Sequence, residues 1–492
     1  MRFSARAAVA VAMLVGFYVL LLGLAVGIVV GEALLLWNRP LSGLIGLTVA
    51  VPAFFALVAA VITVDRVERA TPVGVAVSPA EQPRLWDLVT RIAAEVGTRP
   101  PDEVRIITEV NAAVSEETRF LGLRVVKRRL YLGAPLLACL TEEQVTSILA
   151  HEMGHYGNRD TRLAGIVMTG RDAQVRVLRK LRGDTEARAV VFAVIAEYTK
   201  LYLRVSSAVC RRQELAADAV SARVVGSATA ASALRELPVL TAAWEVFVER
   251  HLDVAAAAGY LPNGVHDGFA DLLACADFAD FLEEVRQADD TGDRDEYDSH
   301  PPISERVATI EAFAAEPARG WGTGPATGLL VEPGRVLDAV VTGSAARVDW
   351  AELGHLVVRA ETVVAAERLL RAASRVAGRP ATLAAVLDAV DAGKLVDLAP
   401  DGLRPGSGSS GPRVRREFAR GFVGEDLAGL VALAHVDLGL AHWRRDWVGD
   451  VEYVGDPLTE LVDAAVADGG GTADLRAALA AAGVAPDYRP AA

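Results

Sequence analysis

Two histidines flank a glutamate in the segment SILAHEMGHYGNRDT, at a spacing that suits metal chemistry. Residues four apart share one face of an α-helix, so His151 and His155 can direct imidazole nitrogens at one metal ion. Glu152 lies about 100° further round the helix and stays close enough to act as a general base for an attacking water. This is the H-E-x-x-H arrangement of zinc metalloproteases. The alternative is two helix-surface histidines beside a solvated glutamate.

A catalytic zinc site of this kind needs a third protein ligand and one open position. The segment RRQELAADA places Glu214 and Asp218 four residues apart, again on one helical face. Glu214 can complete a His₂Glu set, and Asp218 can hydrogen-bond the far nitrogen of a ligand histidine. Alone, the pair is typical of an acidic helix face; beside the two histidines it favours a metal site. Cys210, one turn earlier, is either a ligand or, as we favour, a small buried residue.

The segments ILAHEMGHYGNRDT and RRQELAADA together resemble the M48 metallopeptidases, the family of the membrane protease HtpX and of the CAAX prenyl proteases. The resemblance covers about residues 80–315 and includes PRLW from Pro83, GAPLL from Gly133, and SHPP from Ser299 followed by Arg306. It implies a gluzincin-like domain with a small sheet. HtpX-like enzymes have two further hydrophobic segments between the histidines and the third ligand, but here those regions are short or charged. Prenylated substrates are not implied.

The resemblance also implies a role for each candidate. One zinc ion per chain is expected, held by His151, His155 and Glu214. Glu152 is expected to be the catalytic base and Asp218 to support a ligand histidine. His300 has three interpretations: a donor to the oxyanion of the tetrahedral intermediate, a residue that fills the open zinc position without substrate, or a structural turn histidine. Tyr297 is a weaker donor candidate.

Substrate binding is expected at two places. Asn111 and Ala112 begin a stretch that, by analogy with the family, is an edge strand able to hold a substrate backbone by strand addition. Arg211 is expected either to bind the C-terminal side of the substrate or to neutralise acidic residues; the alternative is that Arg211 and Arg212 form a solvated basic pair. The other histidines have no ligand spacing and are interpreted as structural or exposed: His251, His266, His355, His435 and His442.

Local patterns predict the elements that must position these residues. A capping-box sequence pattern is present at Thr141-Glu142-Glu143-Gln144. The helix that carries HEMGH is expected to begin there. An amphipathic helix is expected over 81–96. Short strands are expected over 104–110, 113–120 and 129–133.

Two uncharged runs near the N-terminus, about 7–31 and 41–64, predict a transmembrane helical hairpin. A signal peptide is the alternative for the first run, but its core would be shorter and no second span would follow. Arg2 and Arg6 precede the hairpin and Arg66, Arg69 and Arg84 follow it, whereas the loop between the spans has only Arg39. The basic residues therefore place both ends, and the catalytic domain, in the cytoplasm.

Composition agrees with this picture. Hydrophobic residues make up 52% of the 492 residues, which favours a membrane-embedded part, and the net charge of -13 argues against nucleic acid as a partner. The three cysteines form no CxxC pair, which fits a reducing compartment. Residues 189–209 are apolar but carry Glu197, Lys200 and Arg204. They predict a buried or interfacial helix rather than a further span.

The expected fold is mainly α with a small β-sheet. Its expected parts are a transmembrane hairpin (1–70), a metallopeptidase domain (71–318), a helical region (319–403), a flexible linker (404–414) and a C-terminal helical region (415–492). The expected function is membrane-anchored zinc endopeptidase of protein substrates, with membrane-protein quality control or cleavage of a specific regulator as its purpose. The alternative is a non-proteolytic sensor or scaffold. It would act through its C-terminal region, where a regulatory partner is expected to bind.

Overall fold

The computed structural model describes residues 2–65, 72–119, 124–156, 167, 170–171, 173–179, 186–288, 301–316, 320–400, 411–449 and 451–491. This structure is mainly helical with small sheets, as expected. The chain forms two compact units. Unit 1 comprises Met1–Trp244 and Ala279–Thr342, and unit 2 comprises Glu245–Phe278 and Gly343–Ala492. The domain limits inferred from sequence remain predictions.

Unit 1 begins with two consecutive apolar helices, α1 (Arg2–Asn38) and α2 (Pro40–Asp65), which pack against each other. Gly43 allows close approach, since a β-carbon there would lie 2.7 Å from Leu36. Within the described residues, Ala8–Asn38 is the one helix long and apolar enough to cross a membrane, and the shorter apolar stretch is Pro40–Pro52. Length and composition thus support the first span, whereas crossing by α2 stays a prediction.

The sheet of unit 1 has the strand order β1-β2-β4-β3, with β1 (Val75–Val77), β2 (Glu103–Ile107), β3 (Ala112–Arg119) and β4 (Arg124–Gly133). β2 and β4 are parallel, and β1 and β3 pair antiparallel at the two edges. Alternate side chains such as Val104, Ile106, Leu130 and Leu132 are fully buried, as the two-residue period of a strand requires. The three expected strands are present within a few residues of their predicted bounds. β1, with three residues, is too short to show this period in the sequence.

Three helices precede or carry the metal-binding segment HEMGH. Helix α3 (Pro83–Val96) buries most of the predicted apolar face, at Leu85, Leu88, Val89 and Ile92. Helix α4 (Ala134–Cys139) follows β4 directly, and α5 (Glu142–Gly154) begins with the predicted capping box. The N–H of Gln144 donates to Thr141 Oγ1, and the N–H of Thr141 donates to Gln144 Oε1. Two orphan donors of the first helical turn are thereby satisfied.

A single 40-residue helix, α6 (Glu186–Val225), joins the apolar helices to the rest of unit 1. Its N-terminal half packs against α1 and α2. Ile195 is fully buried beside Phe17, and the Tyr198 hydroxyl donates to the carbonyl of Met13 at 2.6 Å. The predicted helix over 189–209 is therefore the first half of α6, and the second half carries RRQELAADA.

Further helices before residue 343 include α7 (Ser227–Phe247), α8 (Val254–Ala257), α9 (Val265–Ala274), α10 (Ala279–Gln287), α11 (Ile303–Ala312) and α12 (Pro333–Asp338). A π-helical turn spans Val248–Asp253, and 3-10 turns span Ala276–Phe278 and Ala326–Leu329. The glycine-rich stretch 320–328 has the composition of a linker but is packed into unit 1. Ala326 is fully buried, and the carbonyl of Gly324 accepts a hydrogen bond from the N–H of Glu142. Gly322 allows close packing against the start of α5, since a β-carbon there would lie 2.4 Å from the Glu142 side chain.

The core of unit 2 is helical, as expected for this part of the chain. It joins α13 (Trp350–Ala377), α14 (Leu383–Asp391), α15 (Leu395–Leu398), α16 (Pro412–Asp437), α17 (Thr459–Val466) and α18 (Ala473–Ala481). An antiparallel pair, β7 (His442–Arg444) and β8 (Glu452–Val454), lies against α13. Most of the predicted linker 404–414 falls outside the described residues, and α16 begins at Pro412.

Unit 2 also includes the stretch 245–278, which comes from within the predicted peptidase range. β5 (Tyr260–Pro262) pairs parallel with β6 (Ala346–Val348). The rings of Phe247 and Trp350 are 5.7 Å apart, and a β-carbon at Gly268 would lie 2.3 Å from the Trp350 indole. The packing partners of this stretch therefore lie after residue 342.

Candidate metal centre

The HEMGH segment forms the end of α5, which packs along α6. Small residues bring the two helices close together. The hydroxyls of Ser147 and Ser221 are 2.7 Å apart, and a β-carbon at Gly154 would lie 3.3 Å from Val220. His155 caps the helix with helical backbone angles, so it keeps the face predicted for it, and its ring centroid lies 4.9 Å from that of His151.

Glu214 on α6 meets both histidines and is 3% exposed. Its Oε2 lies 3.6 Å from His151 Nε2, and its Oε1 lies 3.6 Å from His155 Nε2. Two ligand atoms about 2.1 Å from a tetrahedral zinc are about 3.4 Å apart. Each of the two separations, measured to a different oxygen of Glu214, is close to this value, and the donor types fit zinc. Within the described part of the chain, this is the one group of three such donors that lie within 4.8 Å of one another.

Asp218 lies one turn beyond Glu214 and is 2% exposed. Its Oδ1 lies 2.9 Å from Nδ1 of His151, so the Nε2 of that ring is directed at Glu214. This is the geometry predicted for Asp218. The contact fixes the tautomer of His151 and leaves Nε2 for a metal.

Arg306 of α11 holds the other side of Asp218. Its Nε and Nη2 donate to the two carboxylate oxygens at 2.9 and 2.7 Å, and its Nη1 lies 3.5 Å from Glu214 Oε2. Sequence reasoning assigned no role to Arg306. The sequence pointed to Arg306 only through its place in the segment that resembles the family. Arg306 lies 88 positions from Asp218, so no local spacing could predict their contact.

The buried charges shift the pKa values in this centre. Burial alone would lower the pKa of His151, but its hydrogen bonds with Asp218 and Glu214 outweigh burial and raise that pKa to about 9. For Asp218, burial acts to raise the pKa, yet the hydrogen bonds from Arg306 and His151 hold it below its usual value. Zinc requires the neutral imidazole, so zinc binding competes with the proton on His151.

Glu152 follows His151 and is half-buried. Its charge contributes to the raised pKa of His151 and Arg306, so Glu152 lies within electrostatic reach of the centre. Tyr156 lies four residues after Glu152. Its hydroxyl donates to the carbonyl of Val114 at 2.6 Å and so connects the end of α5 to the sheet.

The residues predicted to bind substrate lie on two segments, one that leads into a strand packed against α5 and one in α6. Ala112 begins the edge strand β3, which packs against α5, and Asn111 precedes it on the surface. The carbonyl of Asn111 accepts a hydrogen bond from the N–H of Gly133 at 2.7 Å. Arg211 is half-buried, one turn before Glu214. The stretch that Asn111 precedes and Ala112 begins is an edge strand, as expected, and substrate contact by all three residues stays a prediction.

Other candidates separate into two groups. His300 and Tyr297 lie outside the described residues, so their roles stay predictions. Cys210 is buried and is not among the three grouped donors. The five remaining histidines are not part of that group either; for example, His251 Nε2 lies 3.2 Å from the carbonyl oxygen of Trp447.

Comparison with known proteins gives consistent matches. Residues 79–314 match the family described as Peptidase family M48. The chain is 27% identical over 250 residues to the Protease HtpX homolog of Acidiphilium cryptum, covering 48% of this chain and 77% of that protein. It is 23% identical over 254 residues to Protease HtpX of Hahella chejuensis, covering 47% of this chain and 74% of that protein. It is 30% identical over 160 residues to the Protease HtpX homolog of Listeria welshimeri, covering 31% and 47%. No solved structure matches the chain.

Proposed function

Residues 79–314 belong to peptidase family M48, and we propose that the chain is a membrane-anchored zinc endopeptidase acting on proteins at the cytoplasmic face of a membrane. One observation carries this proposal. His151, His155 and Glu214 each bring one ligand atom within 4.8 Å of the other two, and two imidazoles with one carboxylate are a donor set typical of catalytic zinc. Three protein ligands leave a fourth position for the reacting groups, as in catalytic zinc sites.

In the proposed mechanism, the chain's own residues position the reactants and move one proton. Zinc, when bound by His151, His155 and Glu214, supplies Lewis acidity that polarises the scissile carbonyl. Glu152 takes a proton from the attacking water and returns it to the leaving amine. Asp218 keeps His151 oriented through the 2.9 Å contact at Nδ1. We assign the oxyanion donor to His300.

Substrate is proposed to bind in an extended conformation. The edge strand β3 has one partner strand, β4, and so offers its other edge to a substrate backbone near Asn111 and Ala112. Main-chain pairing of this kind leaves side-chain preference loose, which suits unfolded or damaged proteins. Arg211 is proposed to attract the carboxylate side of the substrate.

The membrane assignment rests on α1 and on the distribution of arginines. Ala8–Asn38 has the length and composition of a span. We propose that α2 returns through the bilayer, so that the part of unit 1 that follows α2 lies on the cytoplasmic side, as the N-terminus with Arg2 and Arg6 does. A protease held at this surface would meet membrane proteins and their regulators first, and membrane-protein quality control is the role proposed for it.

Cleavage of casein by the purified full chain tests this function. We expect wild-type protein to bind one zinc ion per chain and to cleave casein, and we expect a zinc chelator to stop cleavage. Glu152→Gln should retain zinc and lose at least about a hundredfold in turnover. Glu143→Gln, on the first turn of the same helix, is the matched control and should keep full activity. Equal cleavage by wild type and Glu152→Gln would refute the mechanism.

A further inference from the structure

An apolar face of α16 in unit 2 lies open to solvent. Val414, Phe418 and Phe422, spaced four residues apart, are 47%, 57% and 44% exposed. Ala419 and Val423, on the opposite side of the same helix, are buried in the core. The two phenylalanines line a shallow cleft of about 300 Å³. Spacing by four keeps the three exposed side chains on one stripe, which we call the α16 stripe.

The α16 stripe has a basic end. Residues 412–420 contain four arginines and one glutamate, although the whole chain has a net charge of -13. Arg413 and Arg416 are exposed beside the stripe. Arg420 lies 2.9 Å from Asp468 and 3.5 Å from the glutamate, Glu417, so it is shared between two carboxylates. Glu425 lines the cleft at the opposite, C-terminal end of the stripe. The positive charge is thus concentrated at the N-terminal end of α16.

We infer that the α16 stripe docks on an anionic phospholipid surface. An amphipathic helix with aromatic side chains on one face and arginines beside it inserts shallowly between lipid headgroups. Basic residues near a negatively charged leaflet strengthen this attachment. The charge distribution predicts a tilt, with Arg413 and Phe418 closer to the headgroups than Glu425.

Two other occupants fit the stripe less well. A stable protein interface needs about 800 Å² per partner, whereas three half-exposed side chains offer on the order of 250 Å². The preceding stretch RPGSGSSG from Arg404 has no large apolar side chain with which to cover the stripe. A bilayer needs no large interface, because the membrane anchor proposed above, on which this argument rests, would make attachment of α16 an intramolecular second event.

Photo-crosslinking of the full chain in lipid nanodiscs tests this inference without using catalysis. Phe418 is replaced by p-benzoylphenylalanine, the discs contain phosphatidylcholine with or without phosphatidylglycerol, and adducts are identified by mass spectrometry. We expect a lipid adduct whose yield rises several-fold with phosphatidylglycerol. Arg413→Glu and Arg416→Glu should each lower the yield roughly fivefold, and high salt should also lower it.

The matched control carries the photo-crosslinker at Leu440, which is 54% exposed just beyond the C-terminal end of α16. Position 440 lies 22 residues beyond 418, about 30 Å away at the rise of a helix, and should give little lipid adduct. Thermal melting followed by circular dichroism checks that each variant is folded. A crosslinked dimer, a protein adduct, no adduct, or equal lipid adducts at both positions would overturn the inference, as would a yield indifferent to anionic lipid.

Discussion

Zinc affinity should depend on pH through His151. With a pKa of about 9 in the metal-free protein, about 99% of His151 carries a proton at pH 7. Zinc must displace that proton, which costs about 3 kcal/mol at pH 7, or on the order of a hundredfold in affinity. The affinity should therefore rise about tenfold for each pH unit between about 7 and 9.

Stability of the metal-free protein should change in the opposite direction. The folded pKa of His151 lies above its ordinary value of 6.5, so the protonated ring stabilises the fold. That contribution is complete below pH 6.5 and is lost as pH rises through about 9. Over this range the melting temperature without zinc should fall, while the increase produced by saturating zinc should grow.

Calorimetric titration measures the displaced proton directly. In buffers of different ionisation enthalpy near pH 7, His151 should contribute about one released proton per zinc bound. Competition with a chelator of known affinity gives the slope between about pH 7 and 8.5. A pH-independent affinity over this range, with no proton released, would refute the assignment of the raised pKa to His151.

The variant Asp218→Asn tests two effects of Asp218 on His151, the raised pKa of the ring and its orientation toward the metal. It removes the largest interaction that raises the His151 pKa, so proton release near pH 8 should decrease, while Glu214 and Glu152 still raise that pKa. It also loosens the His151 ring, so zinc affinity should fall by about ten- to a hundredfold. The control Asp87→Asn, on the exposed face of α3, should change neither quantity. Undiminished proton release by Asp218→Asn would contradict the hydrogen-bond explanation.

Three further substitutions test other contacts. Arg306→Met should destabilise the metal-free protein by about 3–5 kcal/mol in urea unfolding, because Asp218 would remain buried without its bidentate partner; no loss would refute this. Thr141→Ala should cost about 1 kcal/mol, since it removes the capping box of α5, and an unchanged unfolding midpoint would contradict the role of that cap. Gly268→Ala should cost about 1–3 kcal/mol and shift tryptophan emission, because the new methyl group meets the Trp350 ring; unaltered stability and emission would argue against this packing.

Much of the metal centre could be predicted because its information is local. His151 and His155, like Glu214 and Asp218, are pairs at helical spacing, and a helix places such pairs on one face whatever surrounds it. The capping box at Thr141 is equally local, since it uses four consecutive residues. Chemistry and spacing therefore indicated which residues α5 and α6 would direct at a metal.

The parts that sequence reasoning missed depend on contacts between distant residues. Arg306 reaches Asp218 from 88 positions away. The stretch 320–328 has the composition of a linker, yet its glycines permit backbone contact with the start of α5. The association of 245–278 with unit 2 depends on β5 pairing with β6 and on aromatic packing around Trp350. Pairings of this kind leave no periodic signal within one segment.

The continuity of α6 has a geometric consequence. Ile195 packs beside Phe17 in the apolar bundle, and Glu214 lies nineteen residues further along the same helix, from 195 to 214. At about 1.5 Å per residue the two levels are about 28 Å apart. If α1 crosses a bilayer as proposed, the length of α6 fixes how far the metal centre lies from the level of Phe17 in the membrane. The metal centre would then reach only those peptide bonds of a membrane-bound substrate that lie at a matching distance from the membrane. Distance would select the cleavage site together with sequence.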